Sequence, residues 1–174
     1  MNIKSITFAL ITMIIVSLTS CIKTNDEEEE VRTKAIEQAE LDKLLANMEK
    51  QGLDIDTTAL GVYYIVDEAG EGQTPSDGDT VTITYRGYFT NGVLFDASDY
   101  SFENGEWEFV YPGENLIDGF NDALSVMNKN MSAEFIIPSE LAYGPTGYYS
   151  VIRPYETLIF AIEMKDIKFQ NTGN

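Results

Sequence analysis

Asn115–Met127, NLIDGFNDALSVM, is the stretch on which the fold turns. Ile117, Phe120, Ala123 or Leu124, and Met127 recur three or four residues apart, so a helix carries them on one stripe while Asp118, Asn121 and Asp122 face water. No other segment between Gly61 and Phe169 carries a good helix signal; the rest reads as strands with one apolar face each. A single short helix among such strands is expected on the concave side of their sheet. Ile117 and Phe120 then pack under the sheet and floor any pocket that opens between helix and strands.

Working outward, GVYYIV (61–66) predicts a first strand, closed by the turn-rich EAGEGQTPSDGD. In Thr80–Phe89, Val81, Ile83 and Tyr85 alternate with Thr82, Thr84 and Arg86, giving one buried and one wet face. Asn91-Gly92 signals a hairpin, with Val93–Phe95 returning. Trp107, Phe109 and Tyr111 alternate with Glu106, Glu108 and Val110 in a strand leading to the helix. Ala133–Ile137 and Thr157–Lys168 complete the sheet, Leu158, Phe160, Ile162 and Met164 pointing one way. Between them runs a loop, Pro138–Glu156, with three prolines and four tyrosines, and long aromatic loops in compact domains tend to be functional.

Towards the N-terminus, Lys4 precedes thirteen uncharged residues, Ile6–Leu18, too short for a membrane span of about 20 residues but suited to a signal peptide. Leu18-Thr19-Ser20-Cys21 resembles the bacterial lipobox, and Cys21 is the only cysteine, so lipidation at Cys21 is expected and an internal disulfide is impossible. The expected organisation is a signal peptide at 1–20, an acidic tether at 21–32 containing the five acids Asp26–Glu30, an N-terminal helix and linker at 33–58, and the main domain at 59–170. Acyl chains on Cys21 would anchor the mature chain in the cell envelope, at the outer membrane and facing either periplasm or surface. In the N-terminal helix, Leu41, Leu44, Leu45 and Met48 form a stripe, Thr33 is placed to cap the start and Gly52 to stop it. That stripe either docks on the main domain or pairs with another copy, so the oligomeric state stays open.

The formal charge is −18 with no histidine. Nucleic acid is not an expected partner, because binding it rests on Lys and Arg neutralising phosphates. Absence of histidine, with the lone cysteine at the lipidation position, removes the usual nucleophile–base pairs and His-ligated metal sites; no metal and no cofactor enter the expectation. Most carboxylates fall on wet strand faces, in turns or in the tether. Asp96 differs: it ends the hairpin beside Phe95, and Tyr85 on the inward face of the partner strand is placed to hydrogen-bond it, as burial beside aromatics requires.

Four blocks in register, TYRGYFTNGVLFDAS (84–98), NLIDGFNDAL (115–124), IIPSELAYG (136–144) and VIRPYETLIFAIEM (151–164), resemble the FKBP-type peptidyl-prolyl cis-trans isomerases over roughly Gly61–Lys168. The resemblance implies an α+β fold, an antiparallel five- to six-stranded sheet wrapped around one short helix, here with an N-terminal helix added. It implies a catalytic set of Tyr85, Phe95, Asp96, Ile117, Tyr143 and Phe160, with Trp107, Leu116, Phe120, Ile152 and Tyr148 binding substrate. In the family pattern the Ile117 N–H and Tyr143 hydroxyl hold peptide carbonyls, Asp96 orients the site and Phe120 is the floor. Phe120 stands where many members have tryptophan, Tyr148 where some have histidine, and Arg153 where there is a proline.

The function this implies is prolyl cis-trans isomerisation assisting the folding of cell-envelope proteins, with proline-containing polypeptides as partners. The alternative is the same pocket as a catalytically weak chaperone or proline-peptide binding module, although the flap between Tyr143 and Phe160 is too short for the inserted domain of strong chaperones. A third reading, a surface lipoprotein binding a small ligand or glycan, rests on Tyr148, Tyr149 and Tyr155 alone.

Overall fold

The structure, a computed structural model, describes residues 32–170; the expected signal peptide, Cys21 and the acidic run lie outside these residues. Thr33 caps α1 (Lys34–Lys50) through the Ile36 N–H, and Gly52, at φ 81°, follows the helix end. The strands are β1 (Asp56–Thr57), β2 (Tyr63–Glu68), β3 (Thr80–Phe89), β4 (Leu94–Ala97), β5 (Trp107–Val110), β6 (Ser132–Ile137) and β7 (Leu158–Lys168), with α2 (Asp118–Ser125) between β5 and β6.

All pairings are antiparallel, in the order β1-β2-β6-β7-β3-β4, with β5 also on β3. Seven strands exceed the expected five to six for two reasons. The two-residue β1 adds an edge to β2, too short for any periodicity to reveal. The free side of β3 is also shared, β5 pairing with Thr80–Ile83 and β4 with Arg86–Tyr88. The hairpin closes through Thr90, Asn91 and Gly92: the Gly92 N–H donates to Phe89 O and Gly92 sits at φ 83°, a type I turn ending in a left-handed residue.

Val81 and Ile83 of β3, Ala133, Phe135 and Ile137 of β6, and Leu158, Phe160, Ile162 and Met164 of β7 face α2, which buries Phe120, Ala123 and Leu124 among them. Each large aliphatic or aromatic side chain withdrawn here contributes about 1.5–3 kcal/mol. The helix is shorter than its apolar stripe, because Asn115 is left-handed (φ 63°) and Ile117 extended (φ −63°, ψ 146°).

Asp122 was expected in water and is instead buried, accepting from the Thr58 hydroxyl and, at 3.2 Å, from the Leu60 N–H. The segment after α1 lies over that side of the helix and supplies the donors. The N-terminal helix also departs from expectation. Leu41 is buried while Leu44, Leu45 and Met48 are only partly covered, and the second buried residue is an acid, Glu37. Docking is therefore fixed by a carboxylate as much as by the leucine stripe, and α1 lies on the main domain.

Candidate active site

Tyr85 comes from the inward face of β3, where Thr84 and Arg86 on either side point out. Its hydroxyl donates to Asp96 Oδ2 at 2.9 Å, the bond that burial of the acid was expected to require. The Ala97 N–H donates to Asp96 Oδ1 at 2.8 Å, so both carboxylate oxygens are held. Ser98 fastens the two strands, accepting from the Tyr85 N–H at 3.1 Å. Burial first, then the bond to Asp96, pushes the Tyr85 phenol far above its ordinary range, keeping it a proton donor.

Around this pair the aromatic side chains converge. Phe120, on α2, meets Tyr85 edge-on at 5.7 Å and Phe160 edge-on at 5.1 Å. Phe95 stands against Phe160 at 5.6 Å, and Trp107 lies 5.9 Å from Tyr85 and 6.5 Å from Phe120. Phe120 is 3% and Phe160 6% exposed, so they close the bottom, whereas Tyr85, Phe95 and Trp107 are half-buried and present their remaining surface as walls. Leu116 and Ile117, half-buried, border the slot just ahead of α2, and Ile152 packs into the same core from the flap.

Two further groups near the core, the Ile117 N–H and the Tyr143 hydroxyl, make no hydrogen bond within the described residues. Tyr143 is half-buried; burial first, then the neighbouring Tyr148 and the charge of Asp96, raise its phenol above the ordinary value, so it too stays protonated. Tyr148 lies against Tyr143 at 4.8 Å, tilted by 35°, with 47% of its surface exposed, at the rim rather than inside. Ring contacts and the Tyr85–Asp96 bond thus join Tyr85, Phe95, Asp96, Trp107, Phe120 and Phe160 directly, Leu116, Ile117, Tyr143 and Ile152 pack on or in the same hydrophobic core, and Tyr148 lies against Tyr143; Cys21 lies outside the described residues.

Several contributing residues were not foreseen. Gly87 of β3 makes room for the walls: a Cβ there would lie 2.7 Å from Phe95 and 2.9 Å from Phe160. A glycine inside a strand pattern is itself the signal of such close approach. Phe102 stacks on Trp107 at 5.2 Å and 12°, bracing that wall. Asn121 spans the Gly113 backbone, accepting from its N–H at 2.9 Å and donating to its carbonyl at 3.2 Å, and so fixes the turn that presents Ile117. A separate hollow of about 380 Å³ opens on the other face of the sheet, lined among others by Thr84, Arg86, Asp99, Ala161 and Glu163. Tyr85 and Tyr88 also line it, and its cation is already paired, Arg86 with Asp99 at 2.9 Å.

Residues 71–165 match the family model described as FKBP-type peptidyl-prolyl cis-trans isomerase. The chain is 38% identical over 125 residues to the peptidyl-prolyl cis-trans isomerase Mip of Coxiella burnetii, covering 72% of this chain and 52% of that protein. It is 34% identical over 149 residues to FkpA of Escherichia coli, covering 80% and 53%. The crystal structure of FkpA superposes with a TM-score of 0.60 at 31% identity, covering 78% of this chain and 64% of that one. The outer membrane protein MIP of Legionella longbeachae is 34% identical over 125 residues, covering 72% and 51%. The chain spans about half the length of these curated relatives.

Proposed function

The chain belongs to the FKBP-type peptidyl-prolyl cis-trans isomerase family, and from that premise we propose that it catalyses rotation about X–Pro bonds of polypeptides, with the aromatic slot as its active site. The observation that carries this reading is the hydrogen-bonded Tyr85–Asp96 pair enclosed by Phe95, Phe120, Phe160 and Trp107 beside two uncommitted donors. No nucleophile is needed. Amide resonance sets a barrier of about 18–20 kcal/mol, and at the twisted transition state that resonance is lost. The twisted carbonyl is less polar than the planar one, so an apolar slot stabilises the twisted form over the ground state, which is the difference catalysis requires. An acceleration of about 10,000-fold asks for only about 5.5 kcal/mol.

In this reading the proline ring lies on Phe120 and Phe160 between Phe95, Trp107 and Ile152, with Leu116 at the edge. The Ile117 N–H and the Tyr143 hydroxyl donate to peptide carbonyls, holding the chain on either side of the rotating bond, while Asp96, fixed by Tyr85, orients the site and Tyr148 extends the rim. Phe120 gives a smaller floor than tryptophan would, which favours a proline ring over rapamycin-type macrolides. In a protease-coupled assay on a short X–Pro peptide, the protein should accelerate the slow phase at substoichiometric amounts, and Phe95→Ala should remove that acceleration; turnover no faster than the blank would defeat the proposal.

The location follows the same logic. The lipobox-like Leu18–Cys21 and a relative named an outer membrane protein support a lipid-anchored enzyme of the cell envelope acting on proteins that fold there. Mass spectrometry of the purified chain should find acylated Cys21 as its first residue, and Cys21→Ala should release the protein from membranes. A second reading, a chaperone-like binder using the same slot, is favoured by apolar residues exposed on the flap and on the β3–β4 hairpin: Tyr149 at 84%, Val93 at 54% and Val151 at 53%. Asp96→Ala separates the two, since turnover falls under the first and client protection persists under the second.

A further inference from the structure

Glu37 is 5% exposed on a helix most of whose residues face water. A buried carboxylate is costly unless donors saturate it, and here three do, none of them a cation. Its oxygens accept from the Ser139 N–H at 2.6 Å, the Ser139 hydroxyl at 2.5 Å and the Thr157 hydroxyl at 3.0 Å. Ser139 lies just past the end of β6 and Thr157 just before the start of β7, so one side chain joins the two ends of the flap.

The contact does more than hold α1 down. Ser139 opens a single helical turn, Ser139–Leu141, whose preceding residue, Pro138, supplies no side-chain cap. The first N–H groups of any helical turn lack internal partners, and Glu37 satisfies one from another element. That turn runs through Ala142 directly into Tyr143. Arg32, just ahead of α1, acts on the other strand of the flap: its guanidinium donates to Tyr155 O at 3.1 Å and lies 3.9 Å from the buried Glu156 carboxylate. Tyr155 is left-handed (φ 53°), a costly backbone state that needs outside support, and its N–H donates to Gly144 O at 2.9 Å, next to Tyr143. Both contacts come from outside the family-matched residues 71–165.

We propose that α1 is a positioning element for the active site, Glu37 stapling the flap closed at its base so that Tyr143 and Ile152 are held ready for substrate. This rests on the isomerase reading of the slot. Because the flap binds the peptide in both planar and twisted forms, loosening it weakens binding more than turnover.

The test compares wild type and Glu37→Gln for kcat and KM on an X–Pro peptide, for peptide affinity through fluorescence of Trp107, the chain's only tryptophan, and for hydrogen exchange segment by segment. The expected result is a KM and Kd raised about fivefold to tenfold, kcat within about twofold, and faster exchange confined to residues 138–157. Ser139→Ala combined with Thr157→Val removes two donors without touching α1 and should move the same readouts in the same direction, which keeps the test decisive if Glu37→Gln fails to fold. Unchanged KM and flap exchange in a folded variant would overturn the proposal, as would faster exchange spread over β3 and β7, the mark of a merely stabilising contact. If wild type neither turns over nor binds, the isomerase reading fails, and exchange of 138–157 still decides whether Glu37 is the staple.

Discussion

Tyr85 and Asp96 illustrate what single residues contribute. The pair was legible in the sequence because a carboxylate beside aromatics demands a donor and the facing strand offered one at the right register. Tyr85→Phe removes that donor from a half-buried acid, and denaturant melts should show a loss of about 1–2 kcal/mol together with a drop in kcat/KM of about tenfold. The pH dependence follows from the same bond. The folded Tyr85 phenol is raised above the value of about 10 found in an unfolded chain. Its contribution to stability is therefore complete below about pH 10 and is lost as pH climbs towards the folded value. Absorbance titration should show Tyr85 and Tyr143 ionising after exposed tyrosines, and Tyr85→Phe should remove part of the alkaline loss of stability. Gly87 was not foreseen, since its role is only the space it leaves. Gly87→Ala pushes a methyl against Phe95 and Phe160 and should cost about 1–3 kcal/mol, with turnover falling further than stability alone explains; full activity in that variant would show that the wall rings are not held as described.

Among the elements, β3 was legible to the residue, because its alternation survives intact and a hairpin signal ends it. The helix was legible in place and apolar face but not in length, since left-handed Asn115 and extended Ile117 interrupt a stripe that continues in sequence. Burial of two other acids, Asp122 and Glu37, was not legible. Asp122 and Glu37 find their donors 64 and 102 residues away, and no local pattern announces a partner at that distance. Asp122 fastens α2 to the segment that follows α1, so its loss belongs to the helix. Asp122→Ala leaves the Leu60 N–H without its acceptor and the buried Thr58 hydroxyl with only the longer contact to Val62 O at 3.3 Å, and should lower stability by about 1–3 kcal/mol in thermal or denaturant melts. Asp122→Asn, which keeps an acceptor, should recover part of that, and equal losses in the two variants would mean that the hydrogen bonds contribute little.

For the whole molecule, charge is the governing property. The chain carries a formal −18, and Glu106, Glu114 and Asp118, all exposed and none in an ion pair among the described residues, stand within two residues of Trp107, Leu116 and Ile117 in the sequence. Such a surface draws cationic substrates and repels anionic ones, an effect that salt screens over a Debye length of about 8–10 Å. X–Pro peptides flanked by lysine should show a lower KM than the same peptides flanked by glutamate, and the gap should narrow as salt rises; a gap that ignores salt would place the selectivity in direct contacts instead. The central claim, that an aromatic slot between α2 and its sheet favours the rotated X–Pro bond over the planar one, is tested most directly by NMR exchange on a short X–Pro peptide with substoichiometric protein. Cis and trans signals should interconvert far faster than in buffer, and at the buffer rate when Phe95→Ala replaces the wild type. Exchange at the buffer rate with wild-type protein, under conditions where Trp107 fluorescence reports the peptide bound, would contradict it.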